Sequence, residues 1–556
     1  MTPPAQGTAP GPGEDAPART EETSATAALR EPLFRALWIA ALASNVGTWM
    51  HNTAAAWLMT DLTSSTTAVA LVQTATYLPM FLIGLLAGAL ADITDRRRLL
   101  LGTQAGMAVA AGALGALTLA GGVTPLVLLG FTFAIGLGTA LMLPAWQALL
   151  PDTVSGSAVP SAVALNAAGI NIARAAGPAL GGVIVAVAAS GWVFLLNALS
   201  FLGLMAVLLR WDTGRPRARL QERVVSAVRA GGRYIRHAPA LRAVLVRTAV
   251  FTAFASAAWA LLPLVARRQG LGSAGFGGLL ACLGLGAVAG AALLPRLRER
   301  LSLDAIVTSA SVVFAGVSVA LGLLEELSLL AAILVVGGFA WISALASLTT
   351  IATTAAPAWV RARSLAAYLL VFQGAMALGS AAWGGAAEAL GQQRTLVGAA
   401  IGFAVALPVA RRWRLGAAQG VDLTPTPKGE LQLSWDPDLD EGPVLVLVDY
   451  RIEPRRADAF EEAVSELGRI RRRDGATTWG VFRDPTDDRR YIETFVVESW
   501  AEYLRQRERL TAADVTVQEG VRAFHTGEGP PGVSRFVGSR RARAGLAARR
   551  GPRPLA

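Results

Sequence analysis

Arg174 is the residue whose chemistry the sequence makes hardest to ignore. It lies about midway along an apolar run spanning residues 158–188, and a guanidinium in hydrocarbon costs several kcal/mol unless it faces a cavity or a partner. An anion-binding or coupling group fits such a position; pairing with a helix carbonyl or a carboxylate is the structural alternative. Asn171, three residues earlier, shares its helical face, and Asn166 lies eight residues earlier. In the first apolar run Asn45, Trp49 and Asn52 fall on one face by spacings of four and three, a polar-aromatic wall suited to a ring-bearing molecule. Gln73 and Tyr77 in the second run and Tyr368 and Gln373 in the eleventh extend the candidate cavity. His51 stands off that stripe and is the only histidine in the apolar runs, so it is a candidate for proton exchange near neutral pH. Glu388, near the end of the eleventh run, is the main carboxylate candidate for the same task in the second half of the chain.

The elements that must position these groups follow from composition. The chain has 556 residues, 53% of them hydrophobic and 16% charged, with a mean hydropathy of +0.47; soluble domains run at about 45–50% apolar and about 25% charged. Residues 33–410 hold 11 acidic residues and 411–556 hold 23. This is a membrane body followed by a soluble domain, and it excludes a simple soluble enzyme. A helix needs about 20 apolar residues to cross a bilayer, and twelve runs qualify, near 33–60, 67–91, 99–121, 124–150, 158–188, 191–210, 243–266, 273–295, 301–323, 327–350, 362–388 and 393–410. The hydrophilic stretch 211–242 divides them into two halves of six, the pattern of secondary transporters with duplicated halves. Arginines number 23 on one set of alternate loops and flanks and 3 on the other, which predicts that both termini, the central loop and the soluble domain lie in the cytoplasm. The bilayer thus accounts for the net charge of +11 without nucleic acid.

Cofactor and metal chemistry is not expected. Cys282 is the only cysteine and sits in an apolar run, so it forms neither a disulfide framework nor a metal pair. Gly284, Gly286 and Gly290 match part of a nucleotide-binding pattern but lie inside a span, where such spacing serves helix packing. With no phosphate-binding loop in the sequence, an ion gradient, here protons, is expected to drive transport.

After a linker at 415–430 the pattern changes to short alternating runs. Val444–Ile452 reads as a strand, Pro454–Arg473 as a helix, Thr477–Arg483 and Tyr491–Val497 as strands and Trp500–Thr511 as a helix, a ferredoxin-like α+β order. The expected organisation is a disordered leader at 1–30, a six-helix bundle at 31–210, a central loop at 211–242, a second bundle at 243–414, the linker, an α+β domain at 431–537 and a basic disordered tail at 538–556. The fold class is an all-α membrane body of twelve helices with an appended α+β domain.

Between the second and third runs stands Gly88-Ala-Leu-Ala-Asp92-Ile-Thr-Asp95-Arg96-Arg97-Arg98. It resembles the G-x-L-A-D-R-x-G-R-R loop of the major facilitator superfamily, with Ile93 in place of the arginine and Asp95 in place of the glycine. The resemblance implies a gate in which Gly88 allows close helix approach and Asp92, Arg96 and Arg97 form charge contacts. In the fifth run Gly177-Pro178-Ala-Leu-Gly181-Gly182 resembles the end of the fifth-helix signature of exporters in that superfamily, implying a helix that bends and packs closely during rocking. The Asp92-to-Arg98 variant, the stretch from Asn171 to Gly182 and Leu294-Pro295-Arg296-Leu297 are similar to the enterobactin exporter branch and to macrolide-efflux proteins. Asp449-Tyr450, Arg473-Asp474-Gly475-Ala476, Trp479-Gly480 and Ser499-Trp500 resemble the extension of transmembrane secretion effectors, itself similar in fold to antibiotic-biosynthesis monooxygenase domains. These likenesses imply proton-driven export of a siderophore-like or other bulky amphipathic small molecule. The alternatives are a broad multidrug or macrolide pump, or a transporter fused to an oxygenase-like domain. Tyr503 and Gln506 stand where that domain family often has a histidine, which argues against oxygenase chemistry; pairing of two copies through the domain's sheet is the expected role instead.

Overall fold

The computed structural model describes residues 26–210, 232–418, 422–426, 431 and 433–538, without the side chains of Asp92 and Ile93. Most of the expected leader, much of the central loop and of the linker, and nearly all of the basic tail lie outside these residues.

Twelve long helices form the body: α1 (Pro32–Leu62), α2 (Thr66–Ile93), α3 (Arg96–Leu119), α4 (Pro125–Leu149), α5 (Val159–Ala188), α6 (Ser190–Leu209), α7 (Pro239–Arg268), α8 (Ser273–Arg300), α9 (Leu303–Leu323), α10 (Leu327–Thr354), α11 (Arg361–Leu390) and α12 (Gln392–Ala410). Their starts follow from local chemistry. Ser65, Asp95, Thr124 and Ser302 each accept a hydrogen bond from a backbone N–H of the first turn, and prolines open α1, α4 and α7. Asp95, which departs from the superfamily loop pattern, is therefore the N-cap of α3. Eleven of the twelve are apolar enough to cross a membrane; α1, interrupted by Asn45, His51 and Asn52, is the other. α7 begins at Pro239, four residues earlier than the sequence suggests, and residues 232–237 form a short helix before it. A belt of exposed apolar side chains such as Leu126, Val187 and Val405 faces outward, as lipid contact requires. The chain is a multi-pass membrane protein.

α1 packs on α5 and α6, α3 on α4 and α6, and α2 on α4; α7 packs on α11 and α12, α8 on α10, and α9 on α10 and α12. The two bundles meet along α2 with α11 and α5 with α8. Residues 96–98, 296–300, 361–363 and 411–414 mark the arginine-rich end of the body.

The appended domain is β1 (Val444–Arg451), α13 (Ala457–Asp474), β2 (Thr478–Arg483), β3 (Arg490–Val497), α14 (Trp500–Glu508), α15 (Ala512–Arg522) and β4 (Gly532–Val537). The sheet is antiparallel in the order β2-β3-β1-β4, as the ferredoxin-like reading requires, and Val446, Val448, Phe460, Val464 and Phe495 fill the core between sheet and helices. The second helix ends sooner than expected and a further helix and strand follow. Salt-bridged Arg233 and Glu502 (2.9 Å) hold this domain to the body, with the Arg509 guanidinium 4.6 Å from the Trp359 ring centre and that of Arg473 5.7 Å from Tyr234.

Candidate functional site

Arg174, on α5, reaches the seam between the bundles. Its guanidinium carbon lies 5.7 Å from the centre of the Trp49 ring on α1, a cation–π arrangement, and Tyr77 on α2 is near enough to interact with it electrostatically. It makes no ion pair among the described residues. Trp49, Arg174, Pro178, Trp259, Gly284 and Trp341 surround a void of about 10 Å³, room for about one water molecule. From there an aromatic chain runs through the second bundle and back: Trp259 to Trp341 at 5.2 Å, Trp341 to Phe372 at 6.2 Å, and Phe372 to Tyr77 at 6.3 Å between ring centres. One cation is therefore enclosed by aromatic rings from both halves, an arrangement able to hold the anionic group of an aromatic molecule at the midpoint of the body. Trp341 and Phe372 are absent from the sequence-derived site, because an aromatic in an apolar run does not announce whether it faces lipid or the seam.

The glycines beside Arg174 explain how the helices come together. A Cβ on Gly177 would lie 2.5 Å from the Trp49 Cβ, one on Gly181 would lie 2.8 Å from the Met50 Cα, and one on Gly182 would lie 2.5 Å from the Ser273 carbonyl of α8. Pro178 between them is buried within α5 and removes one helix N–H. Gly88 is different: a Cβ there would meet nothing within 4 Å, so the close approach expected from the loop motif is not made in this structure. Arg96 donates to the Ala148 carbonyl and pairs with Asp152 at 3.0 Å. Arg97 donates to the carbonyls of Leu208 and Leu209, a cation at the C-terminal end of α6. The Asp92 side chain lies outside the described residues.

The other candidates are scattered. Asn45, Asn52, Gln73 and Asn171 are partly buried and make no side-chain hydrogen bond among the described residues. Tyr368 lies apart from the Arg174 cluster, accepting from Thr349 and donating to the Leu345 carbonyl within an apolar cluster toward the arginine-rich end. Gln373 buries an unpartnered Oε1. His51 is fully enclosed, its ring centre 4.6 Å from that of Phe194, with no partner for either nitrogen.

Glu388 sits exposed at the arginine-poor end and accepts from Ser65 Oγ (3.1 Å), Thr66 Oγ1 (2.9 Å) and the Thr67 N–H (3.0 Å). It clasps the start of α2 from across the seam. Arg267 makes a second clasp across the seam, pairing with Asp61 at the end of α1 at 3.1 Å and donating to the Thr60 carbonyl. With Gly182 against Gly277 and Gly384 against Thr67 and Ala70, these contacts close the arginine-poor end.

This architecture, two six-helix bundles meeting around a central polar-aromatic cluster, is that of major facilitator transporters. Solved structures with the same fold include a bacterial homologue of the human lysosomal transporter Spinster in an inward-facing, unoccupied conformation (TM-score 0.57, 13% identity, covering 70% of this chain and 98% of that one) and a POT family transporter in complex with 5-aminolevulinic acid (TM-score 0.56, 13% identity, 68% and 96%). Residues 23–543 match the transmembrane secretion effector family, and the chain belongs to it. A curated relative, the staphyloferrin A transporter of Staphylococcus aureus, is 30% identical over 165 residues, 30% of this chain and 41% of that protein's length.

Proposed function

We propose that this transporter exports a siderophore-like, anionic and aromatic small molecule from the cytoplasm by alternating access. The observation that carries the reading is Arg174, a cation without a carboxylate partner among the described residues, facing Trp49 and Tyr77 at the seam of two rocking bundles. A guanidinium offers paired donors to a carboxylate or catecholate, and the aromatic chain offers faces to its rings. The exporter-like G-P-x-x-G-G of α5 supports outward movement, and the relative named a staphyloferrin A transporter supports a siderophore-like cargo. The arginine bias supports an inner-membrane orientation with both termini cytoplasmic.

Protons drive the cycle in this reading, and Glu388 is the group we favour for coupling. Protonation would weaken its acceptance from Ser65, Thr66 and Thr67, loosening the clasp at the arginine-poor end. His51, enclosed beside Phe194, is the second candidate. The appended domain pairs two copies through its open sheet face, where Leu445, Leu447, Ile492 and Val496 lie with the exposed rings of Phe482 and Phe536. Glutamates at Phe482 and Phe536 should then convert a dimer to a monomer in light scattering of the purified chain, and a wild-type monomer would remove the pairing role.

The test of function is untargeted mass spectrometry of cells and spent medium from iron-limited cultures, with and without the protein. A single metabolite that moves from medium to cell when the protein is lost identifies the cargo. Unchanged metabolites with raised sensitivity to several unrelated drugs would replace this reading with a multidrug pump.

A further inference from the structure

The appended domain contains a second, larger cavity, of about 370 Å³, between its sheet and its helices. That volume lies within the range of small-molecule sites, about 300–1,000 Å³. Its floor is apolar and comes from alternate positions of two strands: Val446, Val448 and Tyr450 on β1 and Phe495 on β3. Its walls are Tyr503 and Gln506 of α14, both buried, and Val515 and Gln518 of α15.

The charges lining it are unbalanced. Arg471, Arg507, Arg522 and Arg535 face two acids, Asp474 and Glu519. Arg471 is already neutralised by the fully buried Glu493 at 3.1 Å, which also accepts from Trp479 and Tyr450. Asp474 is held by Arg473 through two bonds of 2.8 and 2.9 Å, and burial still pushes its carboxyl up to about 6. These two pairs cancel, leaving Arg522 and Arg535 against Glu519 around an apolar floor. Arg522 and Arg535 make no ion pair among the described residues, and Arg535 is steered inward by its bond to the Tyr503 hydroxyl. Guanidinium groups at the mouth and aromatic and branched side chains beneath are complementary to a molecule with an apolar body and an anionic head.

We propose that this cavity is a binding site for a small organic anion with an apolar or aromatic body, separate from the site at Arg174. No histidine or cysteine lines it, and its polar groups are suited to holding a ligand in place. Its wall helix α14 also carries Glu502, the residue salt-bridged to Arg233 of the body, with Arg509 just beyond it on Trp359. Occupancy is thus felt one helical turn from the contacts that join the domain to the transporter.

The test is calorimetric titration of the full chain in lipid nanodiscs with 2-naphthoate, and with naphthalene-2-carboxamide as its uncharged counterpart. In Arg174→Gln, whose seam has lost the cation proposed to hold the cargo, one equivalent of naphthoate should bind, the amide at least tenfold more weakly. Replacing both exposed arginines (Arg522→Gln, Arg535→Gln) should weaken naphthoate at least tenfold with an unchanged circular dichroism spectrum, and Val448→Trp, which fills the floor, should abolish binding. Absence of saturable heat overturns the proposal, as does equal binding of acid and amide. Loss in Arg174→Gln with retention in the double arginine variant would assign the ligand to the membrane site and overturn it equally.

Discussion

Ala189 between α5 and α6 and Gly391 between α11 and α12 hold the same backbone conformation, φ 85° with ψ 158° and φ 84° with ψ 152°. They stand 202 positions apart, the interval from the starts of α4, α5 and α6 to those of α10, α11 and α12; α1, α2 and α3 start 207 positions before α7, α8 and α9. Gly136 lies against the α2 carbonyls of Ala75 and Thr76, and Gly338 against the α8 carbonyl of Leu283. Gly177 meets Val46 and Trp49 on α1, while Gly379 meets Ala253 and Ser256 on α7. Gly182 crosses the seam to α8, and Gly384 crosses it to α2. The chemistry does not repeat in this way. Arg174 corresponds to the buried Met376, Tyr77 to Gly284 and Trp49 to the buried Ser256, whereas Trp341 and Phe372 correspond to Thr139 and Ile170. Duplication provides the two-bundle skeleton; the first bundle adds the cation and the second adds an aromatic wall opposite it.

The largest effect expected from this asymmetry is at the cation. Arg174→Ala should lower transport in proteoliposomes by at least 100-fold, because the anion would lose a charge-assisted bond in a low-dielectric seam, about 3 kcal/mol at that factor. Arg174→Lys should restore part of it, since charge returns without the planar fork. Unchanged transport in Arg174→Ala would make that arginine merely structural and dissolve the division of labour. The aromatic side should matter less. Trp341→Ala removes ring contacts of about 0.5–1.5 kcal/mol and should raise the half-saturating cargo concentration up to about tenfold with little change in maximal rate, read from initial rates at several cargo concentrations. A fall in maximal rate alone would instead give Trp341 a role in the conformational change.

The skeleton was legible in the sequence to a greater depth than the site. Apolar runs, capping residues and arginine bias give the helices and the two halves, and the glycine pairs 136/338, 177/379 and 182/384 stand at the interval that separates their helices. Arg174 was also legible, because a charge in an apolar run is conspicuous on energetic grounds alone. Trp341 and Phe372 were not, since burial at a seam and exposure to lipid favour the same residue types. Glu388 shows the reverse problem: its depth along the run was readable, but that it caps α2 from the opposite bundle depends on tertiary packing. In the appended domain, β4 escaped the pattern because Gly532–Val537 is a short edge strand exposed along most of its length, so burial never imposes a clear alternation on it.

The smallest effect tests the symmetry at its two joints. A φ near 85° with ψ near 155° is a region that glycine enters freely and other residues enter at a cost of about 1–3 kcal/mol. Gly391 has no such cost, and Ala189 bears it. Ala189→Gly should relieve that strain, against about 0.5–1 kcal/mol of extra backbone freedom in the unfolded chain, for a net gain of about 1 kcal/mol. Gly391→Ala should lose about as much or somewhat more. Thermal unfolding of the two variants in one detergent at one scan rate reads this as shifts of opposite sign in the apparent midpoint, with the fixed rate needed because such unfolding is often irreversible. Opposite shifts would mean that the joints are one structural device, occupied by its best residue in the second half only. Shifts of the same sign would mean that the surroundings of Ala189 stabilise its backbone in a way Gly391 does not share, and that the repeat breaks at the turn even though it holds along the helices.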